Sequence, residues 1–124
     1  MWLSYGRSLT TEERRLYASY FSEQTLAKAN IIEGRVPFWL NKNMCAVVLG
    51  CTIYFRAGTY QPNHISSIEL LAHELTHVEQ FLSGMTILKY LWASRRGYSK
   101  NPYEVEAYTK SAAIRSALQR IKNC

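Results

Sequence analysis

Leu71-Ala72-His73-Glu74-Leu75-Thr76-His77-Val78-Glu79-Gln80 contains the pattern H-E-x-x-H. Residues four apart share one face of an α-helix, so His73 and His77 can aim both imidazoles at a single metal ion. Glu74 is not needed as a ligand and would lie beside the ion, where a carboxylate can take a proton from water. Ile68, Leu71, Leu75, Val78 and Leu82 recur at helical spacing as a buried stripe. His73 and His77 fall to one side of that stripe, facing a cleft instead of the middle of the core. The helix is expected to begin between His64 and Ser67, with Ser66 or Ser67 as its cap, and to stop at Gly84.

A catalytic zinc site keeps one of its four positions for water and so needs a third protein ligand. No histidine follows His77. His64 lies more than two helical turns before His73, which makes it a poor ligand. The acidic residues after His77 are Glu79, Glu104 and Glu106, and Glu79 points elsewhere on the same helix. Residues two apart differ by about 200° around a helix axis, which separates the other two. Glu104 shares a largely inward face with Ala107, Tyr108, Ser111 and Leu118. Glu106 shares a face with Lys110, Ala113 and Ala117, and is set to pair with Lys110 at i+4 on the surface. Glu104 is therefore chosen as the third ligand, with Glu106 as the alternative. The competing role for Glu104 is the N3 position of a capping box begun by Asn101.

Around this motif the pattern alternates between helix and strand. Thr10 or Thr11 caps a first helix, with Glu12 and Glu13 in its favourable first turn. Leu16, Tyr17, Tyr20, Phe21 and Leu26 carry that helix to about Ala29. Val36–Leu40 is expected to be extended, Asn41-Lys42-Asn43 to turn, and Ala46–Leu49 and Thr52–Phe55 to be strands separated by Gly50-Cys51. A helix is expected from about Thr86 to Ser94. A last one opens at Asn101-Pro102, an N-cap followed by proline at the first helical position, and runs to about Ile121. The fold class is α+β, with a small sheet of about three strands against several helices, in a single domain over residues 1–124.

The chain has 124 residues and a net charge of +6. The basic residues are scattered, and no nucleic-acid motif is present, so nucleic-acid binding would rest on net charge alone. No apolar run is long enough to span a bilayer. Met1 to Arg7 shows no signal-peptide pattern, which points to a cytoplasmic location or to export by a route needing no such peptide. Of the three cysteines, Cys45 and Cys51 are close enough to pair across a hairpin, but are expected to be reduced, and Cys124 is terminal.

His73-Glu74-Leu75-Thr76-His77-Val78-Glu79-Gln80, followed by Asn101-Pro102-Tyr103-Glu104-Val105-Glu106-Ala107-Tyr108, resembles the gluzincin metallopeptidases. In that clan H-E-x-x-H supplies two ligands, and a glutamate on a later helix supplies the third. More narrowly, Leu49-Gly50-Cys51-Thr52-Ile53-Tyr54-Phe55-Arg56-Ala57-Gly58, Tyr60, Pro62 and the H-E-x-x-H helix look like the DUF4157 family of small metallopeptidase-like proteins, often found with bacterial contractile injection systems and toxins. That likeness covers roughly residues 9 to 82 and is specific around the motif. It implies a minimal zincin-like (minigluzincin) domain binding one zinc ion. Related gluzincins often carry E-x-x-A-D, whose aspartate supports a ligand histidine. Glu104 and Ala107 fit this pattern, but Tyr108 stands in the aspartate's place and would have to support the imidazole through its phenol.

The expected activity is peptide-bond hydrolysis by metal-activated water, with Glu74 as general base. Strand Thr52–Phe55 would be the edge that holds an extended peptide. Tyr98, Tyr103 and His64 are the candidates for a transition-state donor, and Tyr54, Phe55 or Trp92 for side-chain pockets. The alternative is a zinc-binding module without peptidase activity, acting as a component or cargo of a secretion or toxin system. The small chain has little left to build the far wall of a cleft.

Overall fold

A computed structural model describes residues 6–122, with side chains described for residues 6–120. In chain order the elements are β1 (Arg7–Ser8), α1 (Thr11–Tyr17), α2 (Glu23–Lys28), β2 (Asn30–Glu33), β3 (Ala46–Leu49), β4 (Thr52–Phe55), α3 (Ile65–Leu82), α4 (Ile87–Ala93) and α5 (Pro102–Lys122), with one 3₁₀ turn at Tyr98–Lys100. The fold is α+β, as expected, and among the described residues the small sheet has four strands where about three are expected.

The first helix expected to reach Ala29 is two helices. Thr10 caps α1 in a full capping box with Glu13, and Ser22 caps α2 through the Thr25 N–H. The break between them lets Tyr17 and Phe21 both turn inward. The expected end near Ala29 holds, since Ala29 is the C-cap of α2, and the residues directly after it, Asn30–Glu33, form the unexpected strand β2. The extended stretch expected at Val36–Leu40 is loop. The β-branched pair Ile31-Ile32 suits strand β2.

The strand order is β1-β2-β4-β3. β2 and β4 run parallel, with Ile31 beside Ile53. β3 and β4 form an antiparallel hairpin joined by Gly50-Cys51. Gly50 has φ +65°, which suits a two-residue turn that needs a left-handed first position. The expected edge strand, Thr52–Phe55, therefore lies inside the sheet, and the outer strand on that side is β3.

Ile31, Val48, Ile53 and Phe55 from the sheet pack with Leu71, Leu75 and Val78 of α3. Full burial of such a side chain contributes roughly 1.5–3 kcal/mol. α3 starts one residue past His64, with no side-chain cap. Ser67, expected as a possible cap, accepts from the Gln61 N–H at 2.9 Å and so ties the preceding loop to the helix. The most extensive helix interface joins α3 to α5. Glu79 pins that corner, accepting from Ser22 N and Thr25 Oγ1 of the α2 region and from Lys110 Nζ of α5. The result is a long helix carrying H-E-x-x-H, held between a sheet on one side and α5 on the other. The signal-peptide reading falls largely on residues 1–5, and Cys124 is terminal; both lie outside the described residues.

Candidate metal centre

His73 and His77 project from the same face of α3, and Glu104 reaches them from the first turn of α5. Glu104 Oε1 lies 3.0 Å from His73 Nε2 and 3.1 Å from His77 Nε2, and the two Nε2 atoms are 3.2 Å apart. All three residues are buried, and together they could hold a metal ion. Bonds of about 2.0–2.1 Å in tetrahedral geometry set neighbouring ligand atoms roughly 3.3 Å apart, so the donor set fits such an ion. Glu106 does not join them. It accepts from Gln80 Nε2 at 2.6 Å, and Lys110, its expected partner, pairs with Glu79. Glu104 makes no capping box either: Asn101 caps α5 alone, through Oδ1 on the Tyr103 N–H at 2.8 Å.

The surroundings orient each group. Gln80 Oε1 lies 2.8 Å from His77 Nδ1, while Gln80 Nε2 donates to the Tyr103 carbonyl and to Glu106. Both of those partners only accept, so the amide orientation is fixed and His77 must donate through Nδ1–H. Nε2 is then the nitrogen that faces Glu104, protonated toward its carboxylate or, once that proton leaves, free for a metal. Tyr108, expected to support an imidazole through its phenol, instead packs its ring edgewise on His73, with centroids 4.4 Å apart. The Tyr108 hydroxyl meets that of Tyr98 at 3.2 Å. Tyr98 donates to Glu104 Oε1 at 3.1 Å and Tyr90 to Oε2 at 2.5 Å. Gln80 and Tyr90 were not singled out from the sequence. Gln80 carried a signal, being one turn beyond His77 on the same helix; Tyr90 carried none.

Charge is concentrated here. Burial pushes the Glu104 carboxyl up, but hydrogen bonds from His73, His77 and Tyr90 hold it far below the usual carboxylate range. Burial pushes His77 down, and its contact with Glu104 more than reverses this, so it is raised. Burial raises Glu74, against the pull of the two histidines and with Glu104 adding to the rise.

Glu74 and His73 line two cavities that meet at the site. One, of about 260 Å³, is walled by β3, by Trp39 and Met44, and by Ile87 and Leu91 of α4. The other, of about 680 Å³, is more polar, with Asn41, Asn43, Ser66 and Glu69 on its lining. Tyr98 borders both. The pocket residues expected from sequence are elsewhere: Phe55 is core, Tyr54 lines neither cavity, and Trp92 lies on a separate surface hollow. His64 is the N-cap of α3, and Tyr103 contributes its carbonyl to Gln80. Cys45 and Cys51 are free thiols.

Among the described residues no helix is long and apolar enough to cross a membrane. No curated protein and no solved structure matches the chain. A family model does match, over residues 12–84, which takes in the sheet from β2 onward and the H-E-x-x-H helix but stops before Glu104. That model describes the eCIS core domain, the current designation of DUF4157, and since it covers more than half of the sequence, the chain belongs to the eCIS core domain family.

Proposed function

We propose that this chain is a zinc-binding component or cargo of an extracellular contractile injection system, with zinc held by His73, His77 and Glu104. The observation that supports this best is the convergence of three buried ligand atoms from two helices, in a chain of this family. Two imidazoles and one carboxylate suit zinc, which takes nitrogen and oxygen donors in four-coordinate sites. Three protein ligands leave one position for a ligand from outside the chain.

A second reading, a zinc-dependent peptidase, is favoured by the place of Glu74. Its buried carboxyl borders both cavities beside His73. Zinc in such a site polarises a carbonyl and lowers the pKa of water. Glu74 would take the proton from the attacking water and pass it to the leaving amine. Tyr98, with its hydroxyl on Glu104 and its ring on both cavities, is the best placed of the three candidate donors. β3, as the outer strand bordering the cavity, would hold an extended peptide by backbone pairing.

One pair of measurements separates the readings. Zinc content near one ion per chain, lost in H73A and H77A, supports the binding module; its absence from purified, zinc-supplemented protein would overturn it. Turnover of a broad peptide library that disappears in E74Q, with zinc retained, would make the module a peptidase. No turnover by zinc-loaded protein would leave it a binding component.

A further inference from the structure

The two oxygens of Glu104 face different partners. Oε1 meets both histidine Nε2 atoms. Oε2 accepts the Tyr90 hydroxyl at 2.5 Å, the short length of a charge-assisted O–H to carboxylate bond. Tyr90 is itself held in place. Its carbonyl accepts from Asn101 Nδ2 at 3.3 Å, and the same amide donates to Ser94 Oγ at 2.7 Å. Asn101 is fully buried, and its Oδ1 caps the helix that carries Glu104. The Tyr90 ring also lies nearly parallel to that of Tyr103, at 6.4 Å between centroids. A tyrosine on α4 and a carboxylate on α5 are thus registered through one asparagine at the start of α5.

We propose that Tyr90 is a positioning residue that makes Glu104 a one-oxygen ligand. This rests on the reading that His73, His77 and Glu104 hold the ion. A carboxylate can bind a metal through one oxygen or through both. The hydroxyl on Oε2 stabilises the rotation in which Oε1 alone faces the histidines. It also occupies the oxygen that would otherwise chelate. A chelating carboxylate would add a fourth protein bond and fill the position that an outside ligand needs. Tyr98 cannot do this work, because its hydroxyl sits on Oε1.

Cobalt(II), a zinc substitute with a visible spectrum that reports coordination number, tests the proposal in the full chain. Tyr90→Phe removes the hydroxyl and keeps the ring. The expected result is a loss of cobalt affinity of about tenfold or more, with a weaker visible band as Oε2 joins the ion. Unchanged affinity and an unchanged band would overturn the proposal, even if metal-free Y90F melts lower, since that drop alone marks a structural hydroxyl. A second check needs no variant. Cobalt-edge X-ray absorption of the unaltered protein should lack the short metal–carbon distance of a chelating carboxylate, and its presence would overturn the proposal. Failure of the unaltered protein to bind cobalt at all would remove the metal reading itself, and this one with it.

Discussion

Gln80 Oε1 lies 2.8 Å from His77 Nδ1, one turn further along the same helix, and Glu106 holds the other end of the Gln80 amide at 2.6 Å. A carboxylate on α5 therefore reaches His77 of the candidate metal centre indirectly, through an amide. The amide fixes the tautomer without placing a second negative charge against the ring. Gln80→Leu removes that control. Zinc affinity, measured by competition with a chelating dye, should fall by about 10–100-fold, with helix content unchanged. An affinity within twofold of wild type would show that the Gln80 contact does not govern the imidazole.

The two glutamates of α5 should separate cleanly. Glu104→Gln exchanges the proposed ligand carboxylate for a weak donor and should lower zinc affinity by more than about 100-fold. Glu106→Gln acts only through Gln80 and should cost about tenfold or less. The reverse order in the same titration would transfer the ligand role to Glu106.

A bound ion would join α3 to α5, and a ligand that binds only the folded state stabilises it. With free zinc a hundredfold above its dissociation constant, the gain is about 2.7 kcal/mol. For a chain of this size that is a rise in Tm on the order of 10 °C. Calorimetry with and without chelator should show this shift in wild type and lose it in Glu104→Gln. A shift of the same size in that variant would mean the ion binds elsewhere.

Glu13 supplies a pH test outside the candidate metal centre. Its carboxylate accepts from Arg7 at 2.9 Å, from the Tyr60 hydroxyl at 2.6 Å and from the Thr10 N–H at 2.8 Å. Burial pushes this carboxyl up, but the hydrogen bonds outweigh it and hold the group below its ordinary value of 4.5. A carboxylate depressed in the folded state contributes its full stability above the unfolded value, and loses it as pH falls through the folded one. Glu13→Gln should therefore be less stable than wild type by about 1–3 kcal/mol at pH 7, and the gap should narrow below pH 4.5. Urea midpoints at pH 7 and pH 3.5 measure it. A gap that stays constant would mean that the Glu13 charge does not matter.

Much of the site was legible because helix geometry is local. The four-residue spacing of His73 and His77 and the opposed faces of Glu104 and Glu106 follow from one rotation per residue, and the structure brings the first three together. What could not be read depends on contacts between distant segments. Nothing near Tyr90 shows that α4 will fold back onto the first turn of α5, because that path is set by the turns at Ser94 to Asn101. The sheet order has the same origin. Thr52–Phe55 and Ala46–Leu49 look alike in sequence, and only the pairing of β4 with Asn30–Glu33 puts one inside and leaves the other at the edge. β2 is too short to announce itself, four residues directly after a helical pattern that ends near Ala29. The analogy of Tyr108 with an aspartate fails because its longer side chain carries the hydroxyl past His73 to Tyr98.

Anomalous diffraction at the zinc edge from zinc-loaded crystals tests most directly whether one ion is held by His73, His77 and Glu104. The predicted result is a single strong peak within about 2.0–2.2 Å of His73 Nε2, His77 Nε2 and Glu104 Oε1, with Glu106 still on Gln80. A peak bonded to Glu106 in place of Glu104, or no peak between the two histidines, would contradict it.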